Sequence, residues 1–119
     1  MGAFEDFRDD LVGAWTPGRV YEIGSVPASP SYPYVVLSDD PDVPLVRSLD
    51  GSGPLAGRVT VQVFGRTAAS VRSVSQTVVD RWDGNVVPGG NVAALRVLSP
   101  IFRDADTAGV LGRTMSFVF

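Results

Sequence analysis

The stretch from residue 58 to residue 82 constrains the fold most, because in it a strand pattern runs directly into a helix pattern. Apolar and polar residues alternate over residues 58–64, with valines at 59, 61 and 63. A period of two places these valines on one face of a β-strand. Gly65 ends the strand, and Thr67 is a candidate N-cap for a helix over residues 68–82. The buried stripe of that helix is predicted to be Val71, Val74, Val78 and Trp82.

The rest of the chain predicts one more helix and several short strands. Residues 3–15 are typical of an amphipathic helix, because their large apolar residues recur every three or four positions. Strands are expected over residues 20–23, 34–37, 92–98 and 111–119. The helix stripe is predicted to be Phe4, Phe7, Leu11 and Trp15. The strand over residues 92–98 is expected to present Ala93, Leu95 and Val97 on one face. The last strand is expected to present Met115, Phe117 and Phe119.

These elements predict one α+β domain over residues 1–119, a length typical of a single domain. The sheet is expected to be mainly antiparallel or mixed, with five to six short strands and two helices packed on one face. Residues 38–57 are rich in turn-forming residues, which predicts a long flexible loop. Residues 46–49 are expected to form a short stretch of strand within that loop. Residues 101–107 are expected to form a polar connection.

The absence of three residue types restricts the possible chemistry of this chain more than its overall composition does. There is no cysteine, no histidine and no lysine, so all ten cations are arginine. Thiolate nucleophiles, sulfur-ligated metals, imidazole bases and Schiff-base lysines are therefore excluded. Eleven aspartates and two glutamates leave carboxylate glycosidases and Mg²⁺ sites as the main remaining classes. We expect no catalytic residue, no cofactor and no bound metal, and hence no enzyme.

The densest group of carboxylates is a candidate for metal binding. Asp39, Asp40 and Asp42 supply oxygens of the kind that Ca²⁺ and Mg²⁺ prefer. Prolines at 41 and 44 interrupt the group, and no glutamate follows at the distance that an EF-hand requires. The favoured interpretation is therefore a solvated acidic loop.

Two other short motifs carry charged side chains that suit binding or catalysis. Asp104 and Asp106 are spaced like a general acid and base, but nothing in the sequence builds the cleft that glycosidases use. Pairing of Arg103 or Asp104 with a neighbouring segment or subunit is the favoured interpretation. Arg66 lies where a strand passes into a helix N-terminus, which is a weak signal for anion binding.

The charge balance restricts the partners and the location of the protein. A net charge of −3 and a pI of about 4.7 argue against a basic nucleic-acid clamp. The same charge suits a channel through which DNA slides without being held. No apolar run reaches the ~20 residues of a membrane span, and the first residues do not form a signal peptide. We therefore expect synthesis in the cytoplasm of the producing cell and no membrane partner.

The edges of the predicted sheet favour contacts between copies of the chain. An open sheet leaves two rows of unpaired backbone groups, and no lysine is present to guard them. Head-to-tail contacts that close into a ring would cover both edges at once. The sequence is compatible with such a ring.

The central pattern resembles a known family. Residues 58–67, followed by the helix that ends Val78-Val79-Asp80-Arg81-Trp82, resemble the strand–glycine–helix centre of the tail terminator, or tail completion, proteins of long-tailed bacteriophages. The N-terminal helix, the strand after Tyr32-Pro33 and the Arg103-Asp104 region before a last strand fit the same order. The resemblance extends over nearly the whole chain.

The resemblance implies a structural protein of the virion tail or neck. Such proteins form hexameric rings that cap the tail tube, stop its polymerisation and join it to the head connector. The implied partners are copies of the chain, the major tail tube protein and the head-completion or connector protein, with DNA passing through the lumen unbound. The family has no catalytic residue to carry over. We expect residues 38–57 to reach a neighbouring subunit or the tube, with their aspartates facing the lumen.

Eight charged residues are candidates for these contacts. They are Asp39, Asp40, Asp42, Arg47, Asp50, Arg66, Arg103 and Asp104. Two alternatives stay open at this point. One is a head-completion or stopper ring of the phage neck, and the other is a small cytoplasmic ligand-binding or enzyme domain.

Overall fold

The computed structural model describes residues 3–14, 19–40, 58–86 and 92–118, and within them two helices and six strands. In chain order these are α1 (Ala3–Ala14), β1 (Val20–Glu22), β2 (Tyr34–Asp40), β3 (Arg58–Gly65), α2 (Ala68–Trp82), β4 (Ala94–Leu98), β5 (Phe102–Arg103) and β6 (Leu111–Val118). The predicted α+β class is confirmed. The predicted bounds of α2 agree with the structure, and those of β3 differ by a single residue.

The strands form one mixed sheet in the order β1-β2-β3-β6-β4, and β5 also pairs with β6. β1 runs parallel to β2, whereas the other pairings are antiparallel. β4 pairs with the C-terminal half of β6, and β5 pairs with its first two residues. β4 and β5 therefore follow one another along the same side of β6.

The junction between β3 and α2 depends on two small residues. A Cβ atom on Gly65 would lie 2.5 Å from Ser70 Oγ and 3.2 Å from Val71 Cγ2, so only glycine lets the helix begin this close to the strand. The Thr67 side chain accepts a hydrogen bond from the Ser70 backbone N–H at 3.1 Å. The predicted N-cap is therefore confirmed, and it satisfies one of the free N–H groups at the start of α2.

Both helices cover the same face of the sheet, as predicted. Buried and partly exposed residues alternate along all of β3, with Val59, Val61 and Val63 on the buried face. The Trp82 ring of α2 meets Phe117 of β6 edge to face, with the ring centroids 5.4 Å apart. The buried core is formed by Leu11, Val20, Val35, Leu37, Val59, Val61, Val63, Val71, Val74, Val78, Trp82, Ala93, Met115 and Phe117. Trp15 and Phe119 lie outside the described residues.

Two predictions about connections are wrong. β2 continues through Asp40, where it pairs with Arg58, so residues 38–40 are strand and not the start of a loop. The ladder to β3 supplies backbone hydrogen bonds that override the local preference of this acidic segment for a turn. Residues 41–57, including the expected pairing at 46–49, lie outside the described residues. In the expected connection over 101–107, Phe102 and Arg103 form β5 instead.

The fourth strand also differs from its prediction. It begins at Ala94, and Val92 forms a separate bridge with Val86. The register against β6 shifts between Leu95 and Val97, which makes Arg96 an extra residue in a β-bulge. Leu95 lies opposite Phe117 on the core side, whereas Val97 lies opposite Ser116 on the other side. The predicted common face of residues 93, 95 and 97 is therefore interrupted by the bulge.

Candidate functional site

Three of the predicted interaction residues line one open cleft at the end of the sheet. Arg66, Arg103 and Asp104 lie around a cavity of about 430 Å³, together with residues 108–111. They come from two separate parts of the chain, the β3–α2 junction and the end of β5 with the loop that follows it. We call this cavity the arginine cleft.

Each of these side chains is positioned by the end of a strand. Arg66 follows directly on Gly65, the last residue of β3, and Arg103 is the last residue of β5, paired with Leu111. The Asp104 N–H donates to the Val110 carbonyl oxygen at 2.9 Å, which closes the loop that forms the cleft wall. The strand pairing thus fixes where the two arginines leave the sheet.

The cleft contains more positive than negative charge. Arg66 and Arg103 are exposed, and Arg103 has no hydrogen-bond or ion-pair partner among the described residues. The Arg66 guanidinium lies over the Tyr32 ring, 4.6 Å from its centroid, a cation–π contact that orients it. Two guanidinium groups around an open cavity suit a carboxylate or phosphate, since their planar donors match these anions.

Asp104 is the only carboxylate among the residues that line the cleft. One of its oxygens accepts a hydrogen bond from the Asp106 N–H at 3.2 Å. Asp104 and Asp106 therefore belong to one turn and do not face each other across a cleft, as an acid–base pair in a glycosidase does. The structure supports a turn-forming role for Asp104.

A row of aromatic side chains crosses the sheet beside the cleft, on the face away from the helices. Tyr34 and Phe64 are paired neighbours whose ring centroids lie 5.2 Å apart. Phe64 pairs with Gly112, and Gly112 pairs with Phe102. A Cβ atom on Gly112 would lie 2.8 Å from the Phe102 ring and 3.1 Å from Phe64, so the two rings close over the glycine from both sides. We call these three rings the aromatic row.

Two further tyrosines extend the aromatic row. The Tyr21 and Tyr32 rings lie 6.0 Å and 5.3 Å from that of Tyr34. Arg19 fixes the backbone beside them, because its Nη1 donates to the Tyr32 carbonyl oxygen at 2.8 Å. Burial of Tyr34, followed by the electrostatic influence of Tyr32 and then Asp104, raises the pKa of its phenol above the usual 10.0. Asp104 of the arginine cleft follows Phe102 of the aromatic row by two residues.

Sequence reasoning missed the aromatic row. Together with Tyr21 and Tyr32, its rings come from four different strands and the segment before β2, so only the register brings them together. The available signals were the Tyr32-Pro33-Tyr34 run and the placement of Phe64 on the polar face of its strand. Tyrosine, phenylalanine and arginine are also the residue types enriched at protein interfaces.

Two of the remaining predicted residues lie at the other end of β2. Asp39 and Asp40 end β2, opposite Val59 and Arg58, whereas the cleft lies near the start of that strand. Asp40 lies six positions along the strand from Tyr34, a length of about 20 Å. Asp42, Arg47 and Asp50 lie outside the described residues.

Neither a metal-binding cluster nor a membrane-spanning helix is found in the part of the chain that the structure describes. Over residues 3–14, 19–40, 58–86 and 92–118, no three acidic, histidine or cysteine side chains are grouped so that they could hold a metal ion. Neither helix in those ranges has the length and apolar character that crossing a membrane requires.

Comparison with solved structures finds this fold in a virion. A similar chain comes from the structure described as the virion of a native gene transfer agent (GTA) particle. The two chains are 18% identical and superpose with a TM-score of 0.56, and the match covers 98% of this chain and 88% of that one. No protein-family model and no curated protein matches the sequence. The likeness establishes a shared fold over nearly the whole chain.

Proposed function

We propose that the chain is a structural protein of a phage-type virion and that its copies form a ring which caps the tail tube. The fold shared with a chain of the GTA virion, over 98% of this sequence, carries the proposal. The ring stops polymerisation of the tube and joins it to the head connector. DNA passes through its lumen, where a chain with a net charge of −3 does not retain it.

The chemistry of the chain supports a role in assembly rather than in catalysis. The sequence has no cysteine, histidine or lysine, and the arginine cleft presents two arginines and one carboxylate, Asp104, which belongs to a turn. We propose that the arginine cleft and the aromatic row bind a neighbouring virion protein, either the tail tube protein or the connector. Arg66 and Arg103 would pair with carboxylates of that partner, beside a rim of aromatic side chains.

Electron microscopy of particles from a phage that lacks the gene tests this proposal. We expect overlong tails that are not joined to heads, with both defects restored by the wild-type chain. Tails of normal length beside heads that lose DNA would instead assign the chain to the head-completion ring. Normal, joined particles would contradict both roles.

Complementation with single variants tests the cleft in the same system. Arg103→Glu is expected to leave tails unjoined, because like charges at a contact cost several kcal/mol, and each 1.4 kcal/mol lowers binding about tenfold. Arg72→Glu is the matched control, since Arg72 of α2 is also exposed and has no partner among the described residues, but does not line the cleft. Equal joining by both variants would exclude the cleft as the contact.

A further inference from the structure

A second cavity meets the arginine cleft at the Arg66 side chain, which lines both of them. The second cavity has a volume of about 220 Å³, about half that of the arginine cleft. Its other lining residues come from the segment before β2 and from the start of α2. They are Tyr32, Pro33, Thr67 and Ser70. We call this cavity the tyrosine pocket.

The Arg66 guanidinium is held between the two cavities by contacts that leave its hydrogen-bond donors unused. It lies over the Tyr32 ring, 4.6 Å from the ring centroid. It also lies near the loop between β5 and β6, since a Cβ atom on Gly109 would be 3.9 Å from Arg66 Nη1. Arg66, like Arg103, has no hydrogen-bond or ion-pair partner among the described residues. The donors of both guanidinium groups are therefore free to bind a ligand.

The charge of the arginine cleft favours a ligand with a single negative charge. Arg66 and Arg103 against Asp104 leave a net charge of +1 among the lining residues. This charge balances one carboxylate, but it does not balance a phosphate monoester, whose charge is about −2 at neutral pH. Nucleic acid binding needs a cluster of cations, whereas Arg66 is the one charged residue that lines the tyrosine pocket.

The walls of the two cavities favour a ligand that also has an apolar part. Residues 108–111 supply alanine, valine and leucine side chains beside the two guanidinium groups. In the tyrosine pocket, the Tyr32 and Pro33 rings provide a further apolar surface within reach of Arg66. Ligand sites of this kind combine apolar walls with a few polar groups that fix the orientation of the ligand. A peptide in which a carboxylate is next to a large apolar side chain fits both cavities.

We propose that the two cavities bind an acidic peptide segment of another protein, in which an aspartate or glutamate is adjacent to a large apolar residue. The carboxylate lies between Arg66 and Arg103, where planar guanidinium donors match its oxygens. The apolar side chain enters the tyrosine pocket. The inference rests on the proposed function, which gives the arginine cleft a neighbouring virion protein, and it names the chemistry by which that protein is recognised.

NMR titration of the isotope-labelled full chain with blocked dipeptides tests this proposal. Aspartyl-phenylalanine is expected to shift the amide signals of the residues that line the two cavities. Asparaginyl-phenylalanine lacks the charge and aspartyl-glycine lacks the ring, so each is expected to bind about tenfold more weakly. Equal binding of the aspartyl and asparaginyl peptides would overturn the proposal, and so would the absence of binding by all three.

Two variants and one control show where the peptide binds. Arg103→Gln is expected to weaken the aspartyl peptide about tenfold and to leave the asparaginyl peptide unchanged. Arg66→Gln is expected to weaken both peptides, because Arg66 lines both cavities. Arg72→Gln is the control, since Arg72 is exposed on α2 and lines neither cavity. All three arginines are exposed, so unchanged signals elsewhere in the spectrum will show that the variants are folded. Equal effects of Arg103→Gln and Arg72→Gln would overturn the assignment.

Inorganic phosphate and a short single-stranded DNA are titrated in parallel. Tighter binding of either of them than of the aspartyl peptide, with the same dependence on Arg66 and Arg103, would overturn the proposal and assign the cavities to a phosphate group. Failure of the peptides leaves the tail-capping role standing, because loss of the gene tests that role separately. Normal tails without the gene would remove that role and leave the peptide site intact.

Discussion

Asp10 shows how a single side chain joins the two helices. Its carboxylate accepts hydrogen bonds from Arg81 Nη2 at 2.7 Å, Arg81 Nε at 3.0 Å and Trp82 Nε1 at 2.8 Å. The ion pair with Arg81 is bidentate, and bidentate pairs are stronger than pairs with a single hydrogen bond because two parallel hydrogen bonds fix their geometry. The partners lie more than 70 residues apart in the sequence, so no local pattern reveals the contact.

Asp10→Asn is expected to lower stability at neutral pH and to have little effect in acid. The hydrogen bonds from Arg81, opposed by partial burial and supported by Trp82, hold the pKa of Asp10 below its usual 3.8. Because the folded pKa is the lower one, the ionised carboxylate stabilises the fold above pH 3.8, and this stabilisation disappears as the pH falls through the folded pKa. The expected loss at neutral pH is about 1–2 kcal/mol.

Thermal melting of the wild type and Asp10→Asn between neutral pH and about pH 3 measures this difference. Asp80→Asn is a suitable control, because Asp80 is exposed on α2 and its carboxylate accepts from Gln76 rather than from an arginine. A difference in melting temperature that persists unchanged in acid would contradict the assigned role of the Asp10 carboxylate.

At the scale of elements, α2 is the helix whose limits are set locally. Thr67 caps its first turn, and its buried side covers the centre of the sheet through Val71, Val74 and Val78. Ser75 is also buried, and its hydroxyl donates to the Val71 carbonyl oxygen at 2.6 Å, so it needs no partner outside the helix. β5 is the contrasting element. Two residues are too few to show an alternation of apolar and polar side chains, and they form a strand because they pair with β6.

Thr67→Ala is expected to destabilise the protein by about 1 kcal/mol, because it removes the side-chain oxygen that accepts from the Ser70 N–H. Thr67→Ser keeps that oxygen and is expected to retain most of the stability. Urea denaturation followed by circular dichroism measures both variants. Equal losses in the two would show that the methyl group, and not the cap, matters at this position.

At the scale of the whole molecule, one core on one face of the sheet holds the fold together. Phe117 and Trp82 are fully buried, and their edge-to-face contact joins β6 to α2. β6 lies between β3 on one side and β4 and β5 on the other, so it links the ladders of the sheet. The opposite face presents the aromatic row.

Phe117→Ala is expected to cost about 3–5 kcal/mol, because it leaves a cavity at the centre of the core. That loss is a large part of the roughly 5–15 kcal/mol that stabilises a typical domain. Phe102→Ala is the matched control, since this ring is 38% exposed and its removal should cost far less. Urea denaturation of the two variants makes the comparison, and similar midpoints would contradict the assignment of Phe117 to the core.

Local patterns determine the parts of this protein whose partners are close in sequence. The alternation of Val59, Val61 and Val63 predicts β3, and Thr67 together with the stripe up to Trp82 predicts α2, because both depend on the periodicity and capping of one segment. The α+β class follows from the order of such segments. The lack of cysteine, histidine and lysine likewise limits the chemistry before any fold is known.

Pairing between distant segments decides the rest. Neighbouring strands determine the strand order, the extension of β2 to Asp40 and the bulge at Arg96. The sequence of a single segment does not reveal which strand will lie beside it. The arginine cleft is the clearest case. Arg66 and Arg103 were each identified as candidates, but they become one site only because β5 pairs with the start of β6 beside the end of β3. Register is a property of two strands together, and it places these guanidinium groups around one cavity.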